Sequence, residues 1–293
     1  MQFSFTFVEE IYNLILIADS PIAFCRSAAC SNHGEITQIH NTVGFNPKYT
    51  SDKNLLDALE GSTLNLIKEK ITAIYFYGAG CSSAERNRIL AKPMQKFFPH
   101  AKIYIKHDLD AAVKATYTST PIICSILGTG SNSCFYDGQN IIENAPSLGY
   151  ITGDEASGNY FGKQLINLYV NKALPKKIIE KFESWTPERA EVIIEKIYNL
   201  EKPNLYLASF FRFMHENKQE VIFDTIFRNG IQHFFDIHIK CFDNYKKHPL
   251  TFVGSVAFYL QDYIYEIAEK EEIQVQEIVQ SPIENLVKEH FSQ

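Results

Sequence analysis

Along the first half of the chain, short apolar runs alternate with longer stretches in which apolar residues recur every three or four positions. The two periods predict strands and helices in turn. Residues 14–18, 73–77, 102–105, 122–127 and 133–136 read as strands, and 52–70, 82–98 and 108–117 as helices. From 156 to 247 the helical period persists, as in Val192, Ile193, Ile197 and Leu200, or Ile222, Ile226, Ile231, Phe234 and Phe235. Pro175, Pro187, Pro203 and Gly230 mark breaks within it, so a helical subdomain is expected there, followed by one late strand. The mixture predicts an α/β fold.

Length and composition narrow the class. A chain of 293 residues with 45% hydrophobic and 21% charged residues is globular and long enough for two domains. Its net charge of -6, without a strongly basic stretch, argues against nucleic acid as a partner. Cys25, Cys30, Cys81, Cys124, Cys134 and Cys241 contain no C-x-x-C pair and read as reduced thiols of a cytoplasmic protein. Glu9, Glu10 and Asn13 interrupt the apolar N-terminal stretch and no basic region precedes it, so no export signal is expected. No run is apolar for long enough to span a membrane.

Three segments carry candidate chemistry. The strand at 122–127 runs into Gly128-Thr-Gly-Ser-Asn-Ser133 and then into a second strand ending at Asp137-Gly138. Such a glycine loop lets backbone N–H groups and hydroxyls approach a phosphate, although a plain hairpin turn would have the same composition. It is neither a Walker loop nor a Rossmann fingerprint. Phe252-Val-Gly-Ser-Val-Ala-Phe258 places Gly254 and Ser255 at the start of a helix, where Ser255 can cap and Gly254 leaves room for a ring or phosphate. Gly149 to Gly162 sets Asp154 and Glu155 among four glycines, which suits sugar hydroxyls or a hydrated metal ion. The plain alternative there is that Asp154 caps the helix and Glu155 favours its dipole. Among the histidines only His233 and His238 lie near each other on one helix, and their spacing is not that of a zinc pair.

Taken in order, these motifs resemble the sugar kinase, actin and Hsp70 superfamily, and within it the BadF/BadG-type ATPases and N-acetylglucosamine kinases. Leu127 to Gly138 is similar to the second phosphate motif, Gly149 to Gly162 to the Gly-Asp-Glu segment, and Val253 to Ala257 to the adenosine motif. Gly44-Phe-Asn-Pro47, Ile74-Tyr-Phe-Tyr-Gly-Ala-Gly80 and Ser281-Pro-Ile-Glu-Asn-Leu286 extend the resemblance over nearly the whole chain. It implies two ribonuclease-H-like domains around a central nucleotide cleft, one at 1–115 joined by a C-terminal helix at 281–293, the other at 116–280 with a helical insertion. It also implies ATP and Mg2+, with Gly128, Thr129, Gly130, Ser131, Gly254, Ser255 and Ala257 toward the nucleotide and Asp19 toward the metal. Asn46, Asp108, Gly149, Asp154 and Glu155 fall toward an amino sugar. Asp108 matches the family's catalytic aspartate, a general base for a sugar hydroxyl, though an N-cap role would suit its position as well. Asp110 reads as a solvated first-turn residue. The expected partner is a small amino sugar, N-acetylglucosamine first, with no nucleic acid or membrane surface and a homodimer as the assembly to test.

The chain departs from the family at the first phosphate loop. The family pattern Asp-Ser/Gly-Gly-x-Thr-Lys-Thr-Asp is here Asp19-Ser-Pro-Ile-Ala-Phe-Cys-Arg26, which lacks the turn glycine, two hydroxyls and the lysine. Arg26 could return a positive charge. This leaves a binding module without turnover as the second reading. A dehydratase activator, which needs a cluster-binding thiolate, is a third, with Cys134 placed inside a strand.

Overall fold

The protein was analysed as a computed structural model that describes residues 13–292. The sequence reading of residues 1–12 lies outside them. Ten strands form two five-stranded sheets of matching topology. The first contains β1 (Leu14–Ser20), β2 (Phe24–Cys30), β3 (Ile36–Val43), β4 (Ile71–Gly78) and β5 (Lys102–His107), in the order β3-β2-β1-β4-β5. The second contains β6 (Ile122–Leu127), β7 (Ser131–Tyr136), β8 (Ile141–Ile142), β9 (Leu250–Val253) and β10 (Val275–Val279), in the order β10-β9-β6-β7-β8. In each sheet the first three strands are antiparallel and the last two run parallel to the first. This doubled arrangement is the two-domain, ribonuclease-H-like α/β fold that the resemblance implies.

Three α-helices lie between β3 and β6 in the chain. The helix α1 (Asp52–Glu60) and α2 (Ala84–Phe97) cover one face, and α3 (Asp108–Thr116) follows β5 directly. Strand β1 is almost continuously apolar because it is covered on both faces, as central strands with parallel neighbours are. Between β8 and β9 lie α4 (Gly149–Thr152), α5 (Gly158–Val170), α6 (Lys176–Trp185), α7 (Ala190–Asn199), α8 (Pro203–Ser209), α9 (Phe211–Glu216) and α10 (Val221–Phe234). That is the helical subdomain, with a core rich in phenylalanine. Then come α11 (Ser255–Tyr259), α12 (Gln261–Lys270) and the closing α13 (Ile283–Phe291), which packs on the first sheet beside α3. Among the described residues no helix is long and apolar enough to cross a membrane.

Several expectations are corrected. The helix expected over 52–70 stops at Glu60, because Gly61 turns its amide back onto Asp57 and Ser62 caps a separate 3-10 turn at Thr63–Leu66. Strands β2 and β3 were not expected: Cys, Ala and Ser in β2 give little period-two signal, and their pairing with β1 overrides weak local preference. There are two late strands, β9 and β10, not one.

Helices α5 and α8 meet unusually closely. A Cβ added at Gly162 would lie 1.9 Å from the Leu207 carbonyl oxygen, whereas one added at Gly128 would meet nothing within 4 Å. Gly162→Ala is therefore expected to cost about 1–3 kcal/mol in urea unfolding, while Gly128→Ala stays within about 1 kcal/mol of the parent. Equal stabilities would show that the α5–α8 crossing does not require glycine.

Candidate active site

The carboxyl ends of β1, β4 and β5 converge where open α/β sheets bind ligands. Strand β1 ends in Asp19-Ser20, and β5 runs into His107, the N-cap of α3. Asp110 accepts a hydrogen bond from the His107 amide at 3.1 Å and closes a capping box, so Asp110 is no idle first-turn residue and Asp108 is not the cap. Asp108 is the first helical residue. Its Oδ1 accepts from the Leu109 amide at 3.0 Å and lies 3.2 Å from His107 Nε2. Both side chains are 18% exposed, so Asp108 is held in place yet reachable.

Asp19 lies behind it. Burial first, and then the nearby Asp108 charge, push its carboxyl up to about 7. Among the described residues it has no hydrogen-bond partner. Ser20, next to it, is turned inward and accepts from the Phe45 amide at 3.0 Å.

The facing wall is the turn from Gly128 to Ser131. The Gly128 and Thr129 carbonyls accept from the amides of Gly158 and Asn159, at 2.8 and 3.1 Å, at the start of α5. Asp154, in the left-handed region at φ 57°, accepts from Asn159 Nδ2 at 2.7 Å and more weakly from the Ser131 amide at 3.4 Å. Burial raises the Asp154 carboxyl above its ordinary value, and these two hydrogen bonds pull it partly back. Ser157, not Asp154, caps α5, accepting from the Tyr160 amide at 3.2 Å. The Thr129 and Gly130 amides bond to nothing among the described residues. They are the donors left for an anion.

A cavity of about 480 Å³ lies between these walls. Asn46, Asp108, Gly128, Thr129, Gly130, Ser131, Gly149 and Asp154 all line it. The remaining candidates do not. Ala257, placed toward the nucleotide by the resemblance, is fully buried in the core instead of facing the cavity. Gly254, not Ser255, is the N-cap of α11, and no side-chain cap is made. Gly254 has φ 123° and a Cβ there would sit 2.3 Å from the Leu127 carbonyl oxygen, so its missing side chain admits the backbone of the phosphate-like turn. Glu155 points away from the cavity and meets His238 at 3.0 Å, on the π-helical turn Phe235–Ile239.

The altered loop closes the β1–β2 hairpin. Pro21 and Ile22 line the cavity, and Gly44 packs against their carbonyls, where a Cβ would approach to 2.5 Å. Arg26 pairs with Asp19 across the β1–β2 ladder, on the same face, but does not line the cavity. Instead Lys48 and Arg86 bring positive charge to it, and His107 and the buried Asn204 also reach it. Sequence reasoning missed all four. Lys48 stands two residues after Asn46, and its amide donates to the Asn46 side chain at 2.9 Å, a local link that could have drawn attention to it.

No family model and no curated protein matches this chain. Solved structures do. A candidate N-acetylglucosamine kinase from Porphyromonas gingivalis aligns with TM-score 0.88 and 31% identity over 95% of this chain and 99% of that one. The chain belongs to the sugar kinase, actin and Hsp70 superfamily. A second candidate N-acetylglucosamine kinase, from Chromobacterium violaceum, has the same fold at TM-score 0.72 and 15% identity, covering 97% of this chain and 100% of that one. A glucokinase of the ROK family from Streptomyces griseus, solved with glucose and AMPPNP, aligns at TM-score 0.55 and 14% identity over 94% and 97% of the two chains. Within this superfamily the crevice at the strand ends is the place to look for chemistry.

The donor set fits a hydrated divalent cation. Two carboxyl groups lie near each other, and one of them, Asp19, has no hydrogen-bond partner among the described residues and is held protonated by burial first and by the Asp108 charge second. A pH effect follows for the metal-free protein. Native Asp19 keeps its proton up to about pH 7, whereas the unfolded chain gives it up near the ordinary value of about 4. The unfolded state thus binds fewer protons in this window, and stability falls as pH rises through it. With a chelator present, Asp19→Asn should stabilise the protein little near pH 4 and by up to about 4 kcal/mol at pH 8. A pH-independent difference in unfolding free energy would show that Asp19 is ionised in the native state.

Proposed function

We propose that this protein transfers the γ-phosphoryl group of ATP to a hydroxyl of an amino sugar, with N-acetylglucosamine the first acceptor to test. One juxtaposition carries the reading. The reachable carboxylate Asp108 and the donor-bearing turn Gly128–Ser131 line a single cavity. The relative from Porphyromonas gingivalis supports the choice of sugar. The nucleotide analogue bound by the Streptomyces griseus glucokinase supports ATP.

In this reading the free amides of Thr129 and Gly130, with the Ser131 hydroxyl, hold the phosphates, while Gly254 and Ser255 flank the nucleotide end from α11. Asn46, Gly149 and Asp154 bound the acceptor. Asp108 Oδ1 is occupied by Leu109 and His107, which leaves Oδ2 to take the acceptor's proton. As that proton leaves, the hydroxyl oxygen bonds to phosphorus and the bond to the bridging oxygen of ADP breaks. Asp19 would hold Mg2+ through water, and the ion would neutralise phosphate charge. Lys48 and Arg86 add charge from segments outside the altered loop that line the same cavity.

The second reading, binding without turnover, is favoured by the Pro21–Ala23 turn, whose side chains offer no hydroxyl and no cation. Steady-state phosphorylation and calorimetry separate the two. Asp108→Asn should lower kcat by about 10²-fold or more and leave the melting temperature and ATP affinity unchanged. Gly128→Val should abolish the heat of ATP binding in a folded protein, since that position opens onto the cavity. A parent that binds ATP and the sugar without turnover selects the second reading. An Asp108→Asn variant as fast as the parent overturns the assignment of the base.

A further inference from the structure

Beside the cleft lies a second chamber of about 540 Å³, within the roughly 300–1,000 Å³ range of small-molecule sites. It sits between the edge strands of the two sheets, with the end of β5 and the outer face of α3 on one side and the β7–β8 hairpin on the other. Ser82, His107 and Glu143 line both cavities, so the chamber is continuous with the site that holds Asp108.

Its chemistry is selective. The cationic side chains Lys106 and Lys114 are matched by Asp110, Glu143 and Glu289, and Lys114 is ion-paired to Glu289 at 2.7 Å. An anion would find no excess of positive charge, and an apolar ligand would find little beyond Val113 and Ile141. What remains is a rim of Gln139 and Asn140 amides with the rings of Tyr117 and Tyr136 packed edge to face at 4.9 Å. Amides that donate and accept beside aromatic rings suit a neutral ligand dense in hydroxyls.

Resting on the kinase reading above, we infer that the acceptor site extends past His107 into this chamber and takes a second sugar ring. The acceptor is then a disaccharide, the ring bearing the reacting hydroxyl lying at Asp108 and its neighbour among Tyr117, Tyr136, Gln139 and Asn140. Glu143 stands at the junction, where it accepts from Asn132 Nδ2 at 3.4 Å.

The test compares N-acetylglucosamine with N,N′-diacetylchitobiose by calorimetry on the full chain with AMPPNP and Mg2+, and by phosphorylation kinetics. The disaccharide is expected to bind at least 10-fold more tightly. Gln139→Trp, an exposed turn position that would fill the chamber, should erase that advantage and leave the monosaccharide within 2-fold. Asn140→Ala should reduce the advantage in part and checks the result with a smaller change. Equal affinities, exclusion of the disaccharide, or indifference to both variants overturns the inference while the monosaccharide data keep the kinase reading. Binding of both sugars without phosphorylation removes the kinase reading and leaves the chamber assignment standing. Failure of either sugar to bind overturns both.

Discussion

A helix buried on two sides sets the geometry of this molecule. Ala111 and Ala115 of α3 pack against the first sheet and α13, while Leu109, Ala112 and Val113 pack toward the second sheet. Three alanines let both layers come close to one helix axis. The last turn is tied from both sides: Asn285 of α13 donates to the Ala115 carbonyl at 2.9 Å, and Gln276 of β10 to that of Thr116 at 3.1 Å. The Thr116 hydroxyl donates to Thr251 of β9 at 3.0 Å. The C-terminal carbonyls that a buried helix end would leave orphaned are thereby satisfied. With that end fixed, the other end has one place to be, and it carries Asp108. A carboxylate at the start of a helix clamped between two sheets is held by both.

The site is assembled at a cost in stability. Asp19 and Asp154 are buried carboxyls whose charged forms are disfavoured, and Asp154 and Ala156 both occupy the left-handed region without being glycine. What repays Asp154 is a set of bonds that shape the facing turn. By taking the Asn159 side chain and the Ser131 amide, while Gly158 and Asn159 donate to the turn's carbonyls, it turns carbonyls inward and leaves two amides outward. Gly130 fits under it because a Cβ there would stand 3.0 Å from its carboxyl oxygen. The polarity of the turn is thus fixed from behind by Gly158 and Asn159 and from the cavity side by Asp154.

Much of this was legible in the sequence, and the limits have physical causes. Strand β6 and the Gly128–Gly130 turn stand out because a continuous apolar run followed by paired glycines has few other uses. Asp108 stands out only through the resemblance, since one aspartate at a helix start is ordinary. The roles of Gly254 and Glu155 were not legible: both are set by partners distant in sequence, the Leu127 carbonyl and His238, and spacing cannot report a contact of that kind. Strand β2 was hidden for the same reason. Lys48 and Arg86 were hidden because an isolated cation on a loop or in a first helical turn carries no periodic signal.

Those two cations bear on how the altered loop is to be understood. Neutralising phosphate charge depends on distance and dielectric, not on which segment supplies the charge, so a lysine lost from the β1–β2 hairpin can be replaced from another wall of the same cavity. Directional donors are harder to replace, because a hydrogen bond weakens steeply when its angle is wrong. Pro21 removes an amide, and no hydroxyl follows until Ser27, which is buried against Cys25. The charge of the family loop is therefore recoverable in this chain and its directional bonds are not. In the kinase reading proposed above, binding of a phosphate group would draw on the first and on the Thr129 and Gly130 amides. In that reading transition-state stabilisation would draw on the second, so the altered hairpin would weigh on turnover more than on affinity.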